Sequence, residues 1–257
     1  MNNSRWVFIT GASSGIGRAC AELAFKKGYS VFATARRQTN LETLKRSLKK
    51  GRKNRFEFAK LDVRSAKEVE SFAKKHRELL SKTQILINNA GLARGLDSFA
   101  EPLAGDWTEK VNAMIDTNVK GLLWVTRALL PHLIKNRGHI VNIGSIAGQW
   151  VYPRGNVYCA SKFAVRALNE ALRQDLLGTG VRVTEVAPGM VETEFSLVRL
   201  GDAQSAKNVY RGMHPLTAAD IAESVVWCIG RPKHVNVQSL TLYPIDQASP
   251  TLVHRHT

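Results

Sequence analysis

Three observations predict a doubly wound α/β fold, a parallel sheet with helices on both faces. Short apolar runs alternate with amphipathic helical patterns along the chain. The first of these runs opens directly into a glycine-rich turn. The later runs end in small, amide or hydroxyl residues, the kind that line the carboxyl edge of such a sheet. With 257 residues and no low-complexity linker, a single domain over residues 1–257 is expected.

Taken in order, Arg5 to Thr10 reads as a buried strand that runs into Gly11-Ala12-Ser13-Ser14-Gly15-Ile16-Gly17 and then a helix over Arg18 to Lys27. This is the layout of a phosphate cradle. Glycines admit a pyrophosphate close to the backbone, and the start of the following helix offers free N–H groups and a positive dipole end. A second strand, Ser30 to Ala35, ends in Arg36-Arg37. An acid near this point would take ribose hydroxyls; arginines suit a 2′-phosphate, so the cofactor predicted is NADP.

Further units follow: a helix near Leu41 to Lys50, a strand from Arg55 to Leu61 ending at Asp62-Val63, a helix over Ser65 to Leu80 and a strand over Gln84 to Ile87. The last opens into Asn88-Asn89-Ala90-Gly91. Asp106-Trp107-Thr108-Glu109 has capping-box spacing and starts a long helix to about Asn136, with a kink expected near Asn118 because Asn and Gly are poor helix formers. The strand His139 to Ile143 leads to Gly144-Ser145, and a helix over Val157 to Leu177 carries Tyr158 and Lys162. A strand from Val181 to Val186 reaches Pro188-Gly189, followed by a segment of low periodicity, residues 190–214, placed to act as a lid. A helix from Thr217 to Gly230 and a strand near Leu240 to Tyr243 close the fold.

Tyr158 and Lys162 are one helical turn apart on one face, so an ammonium stands near a phenol and favours its ionised form. Ser145, at a strand end one loop away, can hydrogen-bond the same substrate oxygen. Together with a dinucleotide turn, these groups form a proton-transfer device.

Composition narrows the function further. Lysine and arginine exceed the acids by 37 to 21, a net charge of +16, yet the cations are spread over helices without a recognition element, so specific nucleic-acid binding is not expected. The longest apolar stretch, Gly121 to Leu130, is broken by Arg127 and falls short of the ~18–20 residues of a membrane span. A strand begins almost at the first residue, and a cytoplasmic location follows as the expectation. Cys20, Cys159 and Cys228 are far apart, and His254-x-His256 lies in a tail; neither set suggests a metal site.

In family order and spacing, Thr10-Gly11-x-x-x-Gly15-x-Gly17, Asn88-Asn89-Ala90-Gly91, Asn118, Ser145, Tyr158-x-x-x-Lys162 and Pro188-Gly189 make the chain resemble the short-chain dehydrogenase/reductases, with their Rossmann-type sheet. The runs Met114 to Leu123, Asn142 to Gly148, Gly155 to Tyr158, Thr193 to Ser196 and His234 to Val237 look most like NADP-dependent 3-hydroxy acid dehydrogenases acting on serine, allo-threonine and similar acids. Arg94 to Gly105 and Met190 to Glu192 depart from that pattern and border the expected substrate pocket.

The resemblance implies roles. Tyr158 is the general acid in reduction and base in oxidation, Ser145 holds the reacting oxygen, Lys162 lowers the Tyr158 pKa and binds the nicotinamide ribose, and Asn118 supports a water leading to Lys162. Gly11, Ser13, Ser14, Gly15, Ile16, Gly17, Arg36, Arg37, Asp62, Val63, Asn89, Ala90, Gly91, Tyr158, Lys162, Pro188, Gly189 and Thr193 line the cofactor. A homotetramer paired through the two long helices is the family arrangement. For a substrate carboxylate, Arg154, Arg199, Lys207 and Arg211 are candidate partners. Other readings are a reductase of uncharged ketones and aldehydes, or a non-catalytic dinucleotide-binding protein.

Overall fold

A computed structural model describes residues 5–48, 54–102 and 105–256. Seven parallel strands form its main sheet: β1 (Trp6–Thr10), β2 (Ser30–Ala35), β3 (Phe56–Lys60), β4 (Thr83–Asn88), β5 (His139–Ile143), β6 (Arg182–Pro188) and β9 (Ser239–Leu242). Their order across the sheet is β3-β2-β1-β4-β5-β6-β9. Strand order therefore reverses between β1 and β4, where the carboxyl edge of a doubly wound sheet opens a crevice.

Both faces of the central strands β1, β2, β4, β5 and β6 are buried, which is why they read as largely apolar runs. Val7, Ile9, Val31, Ile87 and Val141 face one core beneath α1 (Gly15–Lys26), α2 (Gln38–Ser47) and α10 (Ala218–Ile229). The alternating residues Phe8, Phe32, Leu86 and Ile140 face the second core, with α3 (Ala66–Lys75), α4 (Arg77–Leu80) and α6 (Leu122–Lys135). His139 is buried on β5 with Nε2 2.8 Å from Thr184 Oγ1, and burial pushes its pKa down to about 3, so it is a neutral core histidine.

Several elements differ from the sequence expectation. The single helix read over Ser65 to Leu80 breaks at His76, which caps α3 and begins α4. The end read for α2, Lys49-Lys50, lies outside the described residues. The long helix starts with α5 (Trp107–Ile115), but its expected capping box does not form: Asp106 makes no side-chain cap and instead pairs with Lys110 at 3.0 Å. A complete capping box stands instead at Thr217 and Asp220, ahead of α10. The kink expected near Asn118 is a π-helical turn, Asp116–Gly121, that links α5 to α6. A Cβ on Gly121 would lie 2.7 Å from Val63 Cγ2, so glycine lets this turn settle on the loop after β3.

α7 (Asn156–Asp175) carries Tyr158 and Lys162. The segment of low periodicity holds more order than expected: β7 (Val191–Glu192), α8 (Glu194–Leu200) and α9 (Ala203–Val209). β7 pairs with β8 (Leu216–Thr217) as a separate two-stranded ribbon. Among the described residues no helix is long and apolar enough to cross a membrane. The three cysteines are buried and unpaired.

Candidate active site

The turns after β1 and β4 meet at the point of strand reversal and are braced to each other. Thr10 Oγ1 accepts the N–H groups of Asn89 and Ala90, each at 3.0 Å, and Asn89 Nδ2 donates back to the carbonyls of Thr10 (2.9 Å) and Gly11 (3.1 Å). That brace explains the glycines. Gly11 has φ +67°, and a Cβ on Gly17 would lie 2.5 Å from the Gly11 carbonyl oxygen and collide with the Asn89 amide. Thr10 was not singled out as a site residue by sequence reasoning, although it stands at the head of the glycine pattern.

At the N-terminus of α1, Ser14 makes no side-chain cap. Its hydroxyl accepts from Arg37 Nη2 at 2.7 Å, so the first N–H groups of the helix are left open to an anion. Arg37 also donates to Ser13 Oγ (3.3 Å) and to Glu194 Oε2 (2.9 Å), the latter from the first turn of α8. Arg36 and Ile16 line the same cleft. Asp62 and Val63 border it farther along; the Arg64 guanidinium, bonded to Asp62 at 2.6 Å, helps hold that carboxyl below its usual range against the opposing effect of burial.

On the other side, Gly189 donates its N–H to Leu242 O at 2.7 Å, and Gln247 Oε1 accepts the Met190 N–H at 2.8 Å, fixing the Pro188-Gly189 turn. Thr193 caps α8 through the Phe195 N–H, and its side chain lies 3.5 Å from where a Gly15 Cβ would be. The segment 190–214 thus begins against the phosphate turn. These groups enclose a cavity of about 580 Å³ that runs from Gly11 and Arg37 to Ser145, Tyr158 and Lys162. An uncapped helix start, backbone approachable only at glycine, and guanidinium groups at the β2 end fit a phosphorylated dinucleotide.

At the inner end, Asn118, Ser145, Tyr158 and Lys162 are all buried. Lys162 Nζ donates to Ile143 O at 2.9 Å and stands 5.9 Å from the Tyr158 ring centroid. Burial pulls the ammonium pKa down to about 8, against the pull of Glu185, a buried acid on β6. Tyr158 moves the opposite way: burial, joined by Tyr152, pushes the phenol up, while the Ser145 hydroxyl and Arg199 pull it down. In this geometry Ser145 and Arg199 favour the phenolate. Asn118 sits in the π-turn with its amide engaged by Leu92, at 2.8 Å in both directions, and by Ser161 Oγ at 2.9 Å. A Cβ on Gly91 would lie 3.3 Å from Asn118 Oδ1 and 3.7 Å from Lys162 Nζ, so the β4 turn, the π-turn and α7 converge.

Of the cations weighed for a substrate acid, the structure brings one to Tyr158. The Arg199 guanidinium lies 5.5 Å from the Tyr158 ring centroid and donates to the Tyr152 hydroxyl at 2.9 Å and to Gly95 O at 3.3 Å. These are neutral acceptors, and among the described residues no carboxylate forms an ion pair with it. Arg154 is turned to Glu101 and Leu96 O; Lys207 and Arg211 are exposed and line no part of the cavity. Tyr152 and Glu194 were missed from sequence, because both act through partners distant along the chain.

The pattern shared by short chain dehydrogenases matches residues 5–200. The chain belongs to the short chain dehydrogenase family. As a member it is an oxidoreductase acting between a hydroxyl and a carbonyl group. It is 48% identical over 245 residues to a sulfoacetaldehyde reductase of Chromohalobacter salexigens, covering 94% of each chain. A serine 3-dehydrogenase of Agrobacterium fabrum is 42% identical, again over 94% of each chain. The NADP-dependent 3-hydroxy acid dehydrogenase of Escherichia coli is 42% identical over 97% of this chain and 99% of its own. Among solved structures, the closed form of a serine dehydrogenase complexed with NADP+ superposes with a TM-score of 0.89 at 41% identity, covering 97% of this dehydrogenase and 99% of that chain.

Proposed function

We propose that this dehydrogenase interconverts short 3-hydroxy acids of the serine, allo-threonine or 3-hydroxybutyrate type and their 3-oxo forms with NADP(H). One observation carries the substrate reading: Arg199 presents a guanidinium, with no acid partner among the described residues, beside the Tyr158 ring and inside the cavity. A hydroxyl held at Tyr158 and Ser145 leaves a carboxylate a few bonds away, within reach of that cation. The relatives are named for serine, 3-hydroxy acids and sulfoacetaldehyde, all small molecules with an acid group, which supports the same assignment.

NADP is supported by Arg37 and Arg36 at the β2 end and by the NADP named for the relatives. Its pyrophosphate would be held by the turn from Gly11 to Gly17, its 2′-phosphate by Arg37 with Ser13 and Ser14, and its nicotinamide half by Asn89 to Gly91, Pro188, Gly189, Thr193 and Lys162. When bound, the nicotinamide supplies or accepts the hydride. The chain orients the substrate and moves the proton. In reduction, Tyr158 Oη gives its proton to the carbonyl oxygen while Ser145 holds that oxygen; in oxidation, Tyr158 takes it back. Lys162 contributes positive charge nearby until pH rises through about 8, where its ammonium deprotonates. The segment 190–214 is proposed as the lid over this site.

The reading extends to a homotetramer, supported by apolar side chains left exposed on the long helices, Ile134 on α6 and Phe163 on α7. Three unpaired cysteines support a cytoplasmic location.

The test is Arg199→Leu assayed on a matched pair, 3-hydroxybutyrate and its methyl ester. A charge-assisted contact to the carboxylate predicts a loss in kcat/KM for the acid on the order of 10- to 100-fold, carried mainly by KM. The ester should change by less than about threefold. Equal losses on both would show that Arg199 supports the fold or Tyr158, and would remove it from substrate recognition.

A further inference from the structure

Outside the catalytic cavity, three side chains that the redox chemistry leaves idle converge near the end of the chain. His214 closes the proposed lid segment, Asp246 follows β9, and His256 lies in the tail. The Asp246 carboxylate is buried and divides its oxygens between two imidazoles: Oδ2 is 3.2 Å from His214 Nδ1, and Oδ1 is 3.1 Å from His256 Nε2. One donor atom from each residue can be chosen so that all three lie within 4.8 Å of one another.

Backbone contacts fix the three segments. The His214 N–H donates to Asp246 Oδ2 at 2.7 Å, the His254 N–H to Asp246 O at 2.8 Å, and the His256 N–H to Gly212 O at 2.6 Å. The Arg255 guanidinium adds bonds to the carbonyls of Arg211 and Val209. The His214 N–H is the leading influence holding the Asp246 carboxyl below its usual range, so the group is ionised near neutral pH.

Tetrahedral coordination with bonds of about 2.0–2.1 Å places ligand atoms about 3.3 Å apart. Each imidazole already stands at about that separation from one carboxylate oxygen, His214 from Oδ2 and His256 from Oδ1, so Asp246 offers an oxygen to the side of each ring. The His214 side chain is 80% exposed, which leaves it room to adjust toward the His256 ring, 5.0 Å away between centroids. An ion can reach the group from solvent. Two imidazole nitrogens and one carboxylate suit zinc and its neighbours; magnesium and calcium prefer all-oxygen shells.

We propose that His214, Asp246 and His256 bind one zinc-like divalent transition-metal ion, leaving a position for water, and that this ion staples the chain end to the end of the lid segment. The competing arrangement is a purely hydrogen-bonded His–Asp–His set that holds the tail without an ion.

Calorimetric titration of tag-free, chelator-stripped enzyme with Zn²⁺, and with Co²⁺ followed by visible absorption, separates the two. The proposal expects one equivalent of Zn²⁺ per chain and the intense visible bands of four-coordinate Co²⁺. His214→Ala and His256→Ala should each weaken Zn²⁺ binding at least about tenfold, and His256→Ala should leave NADPH affinity unchanged. Both imidazoles are largely exposed, so these variants keep the fold; unchanged thermal unfolding checks this. Absence of stoichiometric binding to the wild type, or equal binding by wild type and both variants, overturns the site. Neither outcome bears on the dehydrogenase assignment, because the three residues lie outside the catalytic cavity.

Discussion

Tyr158→Phe should lower kcat by about 10²- to 10⁴-fold, the usual contribution of a positioned proton donor, with little change in the dissociation constant for NADPH. The substitution removes one oxygen from a buried ring that packs against Phe195 with centroids 5.6 Å apart, so shape and packing survive. What disappears is the proton that the carbonyl oxygen must receive during reduction. Ser145, the hydroxyl placed to hold the same oxygen, is a far weaker acid than a phenol and cannot replace it. Stopped-flow reduction with NADPH bound in advance reads this step directly. A variant within tenfold of wild type on every carbonyl tested would mean that Tyr158 is only a core aromatic and that another group delivers the proton.

The second large effect is expected at the phosphate turn. Gly17→Ala should weaken NADPH binding at least about tenfold and lower stability by about 1–3 kcal/mol, the usual range for overpacking. The added methyl would meet the Asn89 amide and lie 2.5 Å from the Gly11 carbonyl. Gly11 O is main chain and cannot swing away as a side chain could, so relief requires the β1 turn to part from the β4 turn. The Asn89 bonds to Thr10 and Gly11 would be strained or lost. Fluorescence titration with NADPH and thermal unfolding report the two consequences separately. Wild-type affinity in the variant would mean that the turn is slack and that the brace does not shape the cofactor site.

These two predictions rest on features legible in the sequence for different reasons. The β1 strand, its glycine turn and α1 are contiguous, so local pattern sufficed. Tyr158 and Lys162 share a helix face by spacing alone. The defect at Asn118 was also legible as a disturbance, since Asn and Gly weaken a helix, but its form as a π-turn depends on packing against Val63 and Leu92, which are far away in sequence.

The segment 190–214 was harder to read. α8 and α9 have seven residues each, too short to show amphipathic periodicity. Their boundaries were nonetheless written in the caps: Thr193, Asp202 and Gly201, the last with φ +73°. At Asp106 the sequence misled, because the nearby Lys110 competes for the same carboxylate. Arg199 was one of four candidate cations until its contacts with Tyr152, 47 residues away, placed it beside Tyr158. The cluster of His214, Asp246 and His256 is likewise invisible to spacing, being assembled by the return of the tail onto the segment that ends at His214.

The account turns on a dehydrogenase that reads both a 2′-phosphate and a substrate anion. The most direct measurement is wild-type kcat/KM for 3-hydroxybutyrate and for its methyl ester, each with NADP+ and with NAD+. The account predicts that the acid with NADP+ exceeds both the ester with NADP+ and the acid with NAD+ by at least about tenfold, the worth of one charge-assisted contact in each case. Equal turnover of acid and ester, or a preference for NAD+, would contradict it.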